Sequence, residues 1–297
     1  MTRSHNVGEG RHNWGDEMDA LPTADLDAHG PGMDGPGLSE SQRDQILARF
    51  YDLDVLDISY DAELYLELAH QAGGSVLELA VGSGRLAIPL ALAGHRVVGV
   101  DRDRAMLQRA HAAWRRAGAP IEHDRLSLHE GDLMSFRSDE RFSLAFIAVN
   151  TFLLAEDDEA RLDVLATMRE HLVPGGTAAV EASTPTEEVL AGYDGRFQLE
   201  WLRHDPETGH LVSKSISARY DPSESIVSLC QVFEWTPRLG GPLSRVVKWD
   251  TLHLVSARQL AALARRAGFT RVAVRGDHLS TPHGPGSQRA ILVARLV

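Results

Sequence analysis

A chain of 297 residues that is 43% hydrophobic can bury the core of one large domain or two small ones, and its net charge of −12 argues against a surface built to neutralise nucleic-acid phosphates. Cys230 is the sole cysteine, so disulfides within the chain are excluded and a reducing compartment, the cytoplasm, is expected. No apolar leader follows Met1 and no run of about 18 apolar residues occurs, so neither a secretory signal nor a membrane span is expected.

Residues 1–38 hold seven glycines, three prolines and seven acids, with apolar residues scattered without period, which predicts a disordered tail. His5, His12 and His29 fall in this tail at spacings that do not suit a metal site, and no metal is assigned. Order is predicted from Ser39 or Ser41, either of which can cap a helix whose one face carries Ile46, Leu47, Phe50 and Tyr51. Residues 57–72 read as a second helix.

The stretch VLELAVGSGRLAIPLALAGHRVVGVD, residues 76–101, reads as strand, glycine turn, helix and strand. Gly82 and Gly84, with Ala80 and Ser83, allow a tight turn against which a ligand can press. Asp101 ends the second strand nineteen positions beyond Gly82, a spacing that faces a carboxylate toward the turn and lets it accept from two ribose hydroxyls. A nucleoside-binding unit is thereby predicted. A dinucleotide fingerprint would place its third glycine at Ala87, whereas Glu78 just before the turn disfavours a pyrophosphate and tolerates a cationic ligand.

Asp103 should cap a helix carrying Met106, Leu107, Ala110 and Trp114 inward, ended by Gly118. Residues 126–130 form a third strand that delivers Gly131-Asp132-Leu133. Residues 142–149 are a nearly continuous apolar run, as in a buried parallel strand, and end at Asn150, where polar groups face a ligand crevice. A helix through Leu162, Leu165 and Met168, then a strand over 177–182, complete this half.

From 197 to 255 the pattern changes to β-branched and aromatic segments broken by turns at 205–209, 221–223 and 239–242, an antiparallel meander of about four strands. Ser256-x-x-Gln259 is a capping box opening a helix that Gly268 ends, and residues 272–274 and 290–296 supply the last strands.

Glu78-x-Ala80-x-Gly82-Ser83-Gly84, Asp101 and Gly131-Asp132-Leu133 together resemble the cofactor motifs of class I S-adenosylmethionine-dependent methyltransferases, with Ala80 replacing the first glycine, as in some members. The likeness runs from about residue 45 to the end and extends to the glycine-type and sugar-amine enzymes that insert a covering sheet. It implies an α/β fold, a doubly wound seven-stranded mostly parallel sheet with an inserted antiparallel sheet. The chain then divides into tail (1–38), helices and cofactor core (39–196), acceptor cover (197–255) and closing helix and hairpin (256–297). The resemblance implies S-adenosylmethionine as cofactor, with Asp101 on the ribose, Arg102 and Met106 over the adenine, Asp132 and the following Leu133 amide on its edge, and Asn150 in the crevice.

In such enzymes tyrosines before the first strand close the site, which makes Tyr51 and Tyr60 candidates; both could equally be core aromatics. The loop after Asn150 carries Phe152-Leu153-Leu154 where some amine-directed relatives have a histidine, so the histidines near the acceptor half, His204 and His253 among them, become candidate bases alongside ordinary surface roles. A small-molecule acceptor methylated on nitrogen or oxygen is expected, without nucleic acid or membrane, and the meander with Trp201, Tyr220, Trp235 and Trp249 is expected to shape its pocket. That sheet could alternatively extend the core or form a homodimer. The rival readings are a nicotinamide-dependent oxidoreductase and a binding scaffold without turnover.

Overall fold

The computed structural model describes residues 37–296 apart from 59, 119–124 and 238–239. The expectation of a disordered tail, with its three histidines, falls on residues outside this range up to 36.

Helix α1 (Glu40–Asp54) starts where its capping box closes: the Gln42 amide donates to Ser39 Oγ at 3.3 Å and the Ser39 amide to Gln42 Oε1 at 2.9 Å. Helix α2 (Ala62–Ala72) begins five residues later than its periodicity suggests, because residues 55–57 form a turn, and the Asp61 carboxylate at its N-cap is engaged elsewhere instead of capping it. Gly73, at φ 70°, stops it.

The nucleotide-binding half follows in order: β1 (Val76–Leu79), α3 (Ala87–Leu92), β2 (Val97–Asp101), α4 (Arg104–Arg116), β3 (Leu126–Glu130), β4 (Phe142–Ile147), α5 (Asp158–His171) and β5 (Leu172–Ser183). Strand β5 starts earlier than expected because Leu172 already pairs with Phe142, after which a bulge absorbs Pro174-Gly175-Gly176 before Thr177 meets Leu144. A short helix α6 (Glu187–Ala191), capped by Thr186, leads into the meander β6 (Asp194–His204), β7 (Leu211–Asp221), β8 (Ile226–Thr236) and β9 (Ser244–His253). Helix α7 (Ala257–Arg266), with its Ser256–Gln259 capping box, and the hairpin β10 (Arg271–Arg275) and β11 (Arg289–Arg295) close the chain.

Seven strands form one sheet in the order β10-β11-β5-β4-β1-β2-β3, with β11 alone antiparallel to its neighbours, and the meander is a separate four-stranded sheet. Strand order reverses between β1 and β4, so a crevice opens at the carboxyl ends of those strands. One sheet face is buried by α5 and α7 and the other by α2, α3 and α4, where Tyr65 stacks on Phe146 with centroids 4.4 Å apart. A third cluster joins α1 to the meander: Phe50 is fully buried 5.4 Å from the Phe233 ring and 5.3 Å from Trp235, with Leu53, Val212 and Val246 around it. Among the described residues no helix is long and apolar enough to cross a membrane.

Candidate active site

The turn after β1 bends through three left-handed residues, Ala80 at φ 60°, Gly82 at 55° and Gly84 at 85°. At Gly84 the bend packs tightly, since a β-carbon there would lie 3.0 Å from Ile88 Cδ1. Asp101 meets this turn directly: its Oδ2 accepts the Gly82 amide at 2.8 Å and its Oδ1 the Asp103 amide at 2.9 Å. Burial pushes the Asp101 carboxyl above the usual aspartate range, against those two amides. Each oxygen keeps a lone pair for a further donor.

The Gly131 amide donates to the Asp101 carbonyl at 3.0 Å, which brings the Gly131-Asp132-Leu133 segment beside the end of β2. Asp132 Oδ1 accepts from the Met134 amide at 2.8 Å, fixing the turn. Met106, half-buried, stands in the first turn of α4, which Asp103 caps, and Arg102 is exposed next to it.

Glu78 lies beneath the turn with 3% exposure. Burial drives its pKa well above the ordinary glutamate range, although Arg85 pulls the other way, and its Oε2 is buried without a hydrogen-bond partner among the described residues. A buried oxygen of this kind at a glycine turn fits a site completed by a ligand. The polar groups fit S-adenosylmethionine as well: the Asp101 carboxylate to accept from a ribose, flanked by the glycine turn at the end of β1 on one side and the Asp132 carboxylate after β3 on the other.

The first two helices cover this turn. Tyr51 Cε1 lies 3.8 Å from where a β-carbon on Gly82 would sit, and burial raises the pKa of its hydroxyl against the charge of the nearby Arg85. Arg85 in turn forks onto Asp61 through two bonds of 2.7 Å. Tyr60 is 55% exposed, its ring 5.2 Å from that of His278 and 5.5 Å from the Arg289 guanidinium carbon. Beneath this pair the buried Glu181 carboxylate gathers His278 Nε2 at 3.1 Å, Arg289 at 2.9 Å, the Tyr65 hydroxyl at 3.2 Å and the Val149 amide at 3.4 Å. Burial raises Glu181, yet the hydrogen bond and charge of His278 and the charge of Arg289 outweigh it and hold the pKa below the ordinary range.

Val149 is itself left-handed at φ 58°, strained for a β-branched residue, and the next residue, Asn150, accepts the Ser183 amide at 2.9 Å. Asn150 and Ser183 form the core-side wall of an open cavity of about 510 Å³ whose opposite wall is the meander, including Ile216, Val227, Leu229 and Leu252. Trp201, Tyr220, Trp235 and Trp249 are not among its lining residues. One face of the meander divides along its length: the end bearing Trp235 and Phe233 packs on α1, and the other end, which is aliphatic, faces the cavity. His204 is exposed at the end of β6, and His253, partly buried, lends its carbonyl to Arg161 at 2.7 Å; neither lines the cavity.

Asp61, Arg85, Glu181 and Arg289 were not legible as site residues, and His278 did not stand out among its fellow histidines. A charge next to a glycine turn and an acid inside the apolar run of β5 were the signals available.

Residues 76–176 match the family model for a methyltransferase domain. The chain is 28% identical over 221 residues to a cypemycin N-terminal methyltransferase from a Streptomyces species, covering 74% of this chain and 82% of the relative. Among solved structures it is similar to the CcbJ methyltransferase from Streptomyces caelestis, at 25% identity and a TM-score of 0.64, covering 80% of this chain and 94% of that one. An S-adenosylmethionine-dependent methyltransferase from Clostridium acetobutylicum shares the fold at 16% identity and a TM-score of 0.69, with coverages of 84% and 98%.

Proposed function

We propose that this chain, an S-adenosylmethionine-dependent methyltransferase of small molecules, uses the crevice between Gly82 and Asn150 to pass a methyl group to a nitrogen of its acceptor. The observation that carries the reading is the Asp101 carboxylate, bonded at 2.8 Å to the Gly82 amide of the turn and retaining acceptor capacity on both oxygens.

When bound, S-adenosylmethionine supplies a sulfonium methyl whose displacement needs alignment and exclusion of water more than acid or base. Asp101 accepts the two ribose hydroxyls, Asp132 accepts the adenine amino group while the Leu133 amide donates to the ring, and Arg102 and Met106 flank the base. Ala80, Gly82, Ser83 and Gly84 let the backbone approach, with Glu78 beneath. Tyr51 covers the turn and keeps water out. Asn150 stands at the border of the cavity and presents the acceptor. An amine that arrives neutral attacks without a base, which suits a loop that carries Phe152 and Leu153, both fully buried, where a histidine could have stood. One feature favours this over a nicotinamide dinucleotide: the buried acid under the turn, where a pyrophosphate would have to sit.

Calorimetric titration of S-adenosylmethionine and NAD into the full chain, followed by assay of S-adenosylhomocysteine release with amine acceptors, tests the reading. Micromolar S-adenosylmethionine binding with no NAD binding is expected. Tighter NAD binding, or release that occurs with alcohols and never with amines, would overturn it.

A further inference from the structure

We infer that the acceptor is an amine with a predominantly aliphatic body and no phosphate, seated in the cavity between Asn150 and the meander. This rests on the methyltransferase reading and extends it to the substrate class. The cavity, at about 510 Å³, is larger than a free amino acid needs and falls in the range that encloses a molecule of drug size. Its polar side chains are Asn150 and Ser183 on the core side, Tyr193 just before β6 and the lining residues of the edge strand β6, while Ile216, Leu229, Leu252 and Leu254 make the far wall aliphatic.

Arg196 and Glu200 are the charged residues of the lining, and both charges are already paired. Glu200 faces the buried Lys214 ammonium at 2.7 Å, and Lys214 also holds Asp54 at 2.6 Å. Arg196 pairs with Asp194 at 3.3 Å and is 84% exposed at the rim. A phosphate or diphosphate on the acceptor would need several converging donors, as in an arginine clamp, and the wall supplies one exposed, neutralised guanidinium. An alkyl body instead gains from each methylene that leaves water against the aliphatic wall. The nucleophile is then left beside Asn150, on the side that meets the strained Val149 and the cofactor turn.

The test is a ladder of straight-chain primary amines, butylamine to decylamine, titrated calorimetrically into the full chain, with UDP-glucosamine as the phosphate-bearing probe. Affinity should rise by about twofold to fourfold per methylene, the upper figure being about 0.8 kcal/mol. Ile216→Trp, which fills the cavity, should flatten the ladder while leaving S-adenosylmethionine affinity and the melting temperature within error of the parent. A flat ladder in the parent, a ladder that survives Ile216→Trp, or UDP-glucosamine binding tighter than decylamine would each overturn the inference. The titrations read the cavity whether or not S-adenosylmethionine binds, so failure of the cofactor reading shows separately, as absent S-adenosylmethionine binding. If Ile216→Trp does not fold, Leu229→Trp replaces it with the same expected outcome.

Discussion

The Asp61 carboxylate and the Arg85 guanidinium meet fork to fork, with both N···O distances at 2.7 Å and side chains 3% and 14% exposed. Asp61 begins α2 and Arg85 follows the glycine turn, so the pair ties the covering helices to the cofactor crevice. Removing one partner leaves the other charge buried and unpaired, at a cost of about 3 kcal/mol. Asp61→Asn should lower the melting temperature by several degrees and weaken S-adenosylmethionine binding together. A variant that melts as the parent does would show that the pair is dispensable.

In the proposed site Asp101 is the acceptor of the ribose hydroxyls, so Asp101→Ala should weaken S-adenosylmethionine binding on the order of ten- to a thousandfold. It also strips the Gly82 and Asp103 amides of their partner, so a loss of about 1–2 kcal/mol in stability is expected alongside. Calorimetry and thermal melts on the same samples separate the effects. Unchanged affinity with lowered stability would reduce Asp101 to a structural role.

The elevated pKa of Asp101 sets opposite pH trends for the free and bound protein. Its folded pKa lies above the unfolded one, so its contribution to the stability of the free protein declines as pH rises through the folded value. Over the same interval S-adenosylmethionine affinity should rise, since only the ionised carboxylate accepts both hydroxyls. Titrations at a series of pH values from 4 upward, with melts of Asp101→Asn as reference, check the sign.

Glu181 behaves in the reverse sense. Its pKa is depressed by His278 and Arg289, so its stabilisation is present above the ordinary glutamate range and lost as pH falls through the folded pKa. Glu181→Gln should cost about 1–3 kcal/mol at neutral pH, with the difference from the parent shrinking in acid. A pH-independent difference would place the loss in packing instead of charge.

Ala80 occupies the first-glycine position of the turn at φ 60°, where a β-carbon is strained by about 1–2 kcal/mol. Ala80→Gly relieves that strain but loosens the unfolded chain, so a net gain of about 0.5–1 kcal/mol is expected, read as a rise in melting temperature. A fall would mean that the alanine methyl makes a contact worth more than the strain.

The parts of the molecule governed by local rules were readable from residue order: the Ser256 capping box, Ser39 as one of two candidate caps, the glycine turn, the nineteen-residue interval to Asp101 and the meander. The start of β5 was misplaced because pairing with Phe142, a tertiary contact, draws Leu172 into the strand ahead of its bulge. Helix α2 was drawn too long because the turn over 55–57 leaves no mark in the apolar period, and Asp61 was not read as a site residue because its carboxylate is held by a residue 24 positions away. Glu181 and its partners were invisible for the same reason, since Tyr65, His278 and Arg289 converge on it from separations of 97 to 116 residues. The aromatic residues of the meander suggested a stacking pocket, but alternation along a strand does not reveal which end of one face meets α1 and which end remains open.

Helix α1 touches both the glycine turn and the sheet that walls the cavity. Tyr51 leans over the glycine turn, while Phe50 is clamped by Phe233 and Trp235, and Asp54 is held by Lys214 and by Trp201 at 2.8 Å. Any displacement of α1 from the glycine turn would therefore drag on the sheet that walls the cavity. Such a linkage predicts reciprocal coupling, in which occupancy of the donor site changes acceptor affinity by the same factor as the acceptor changes donor affinity. Saturating S-adenosylhomocysteine should then shift the Kd of decylamine, and cutting the link with Phe50→Leu should shrink that shift.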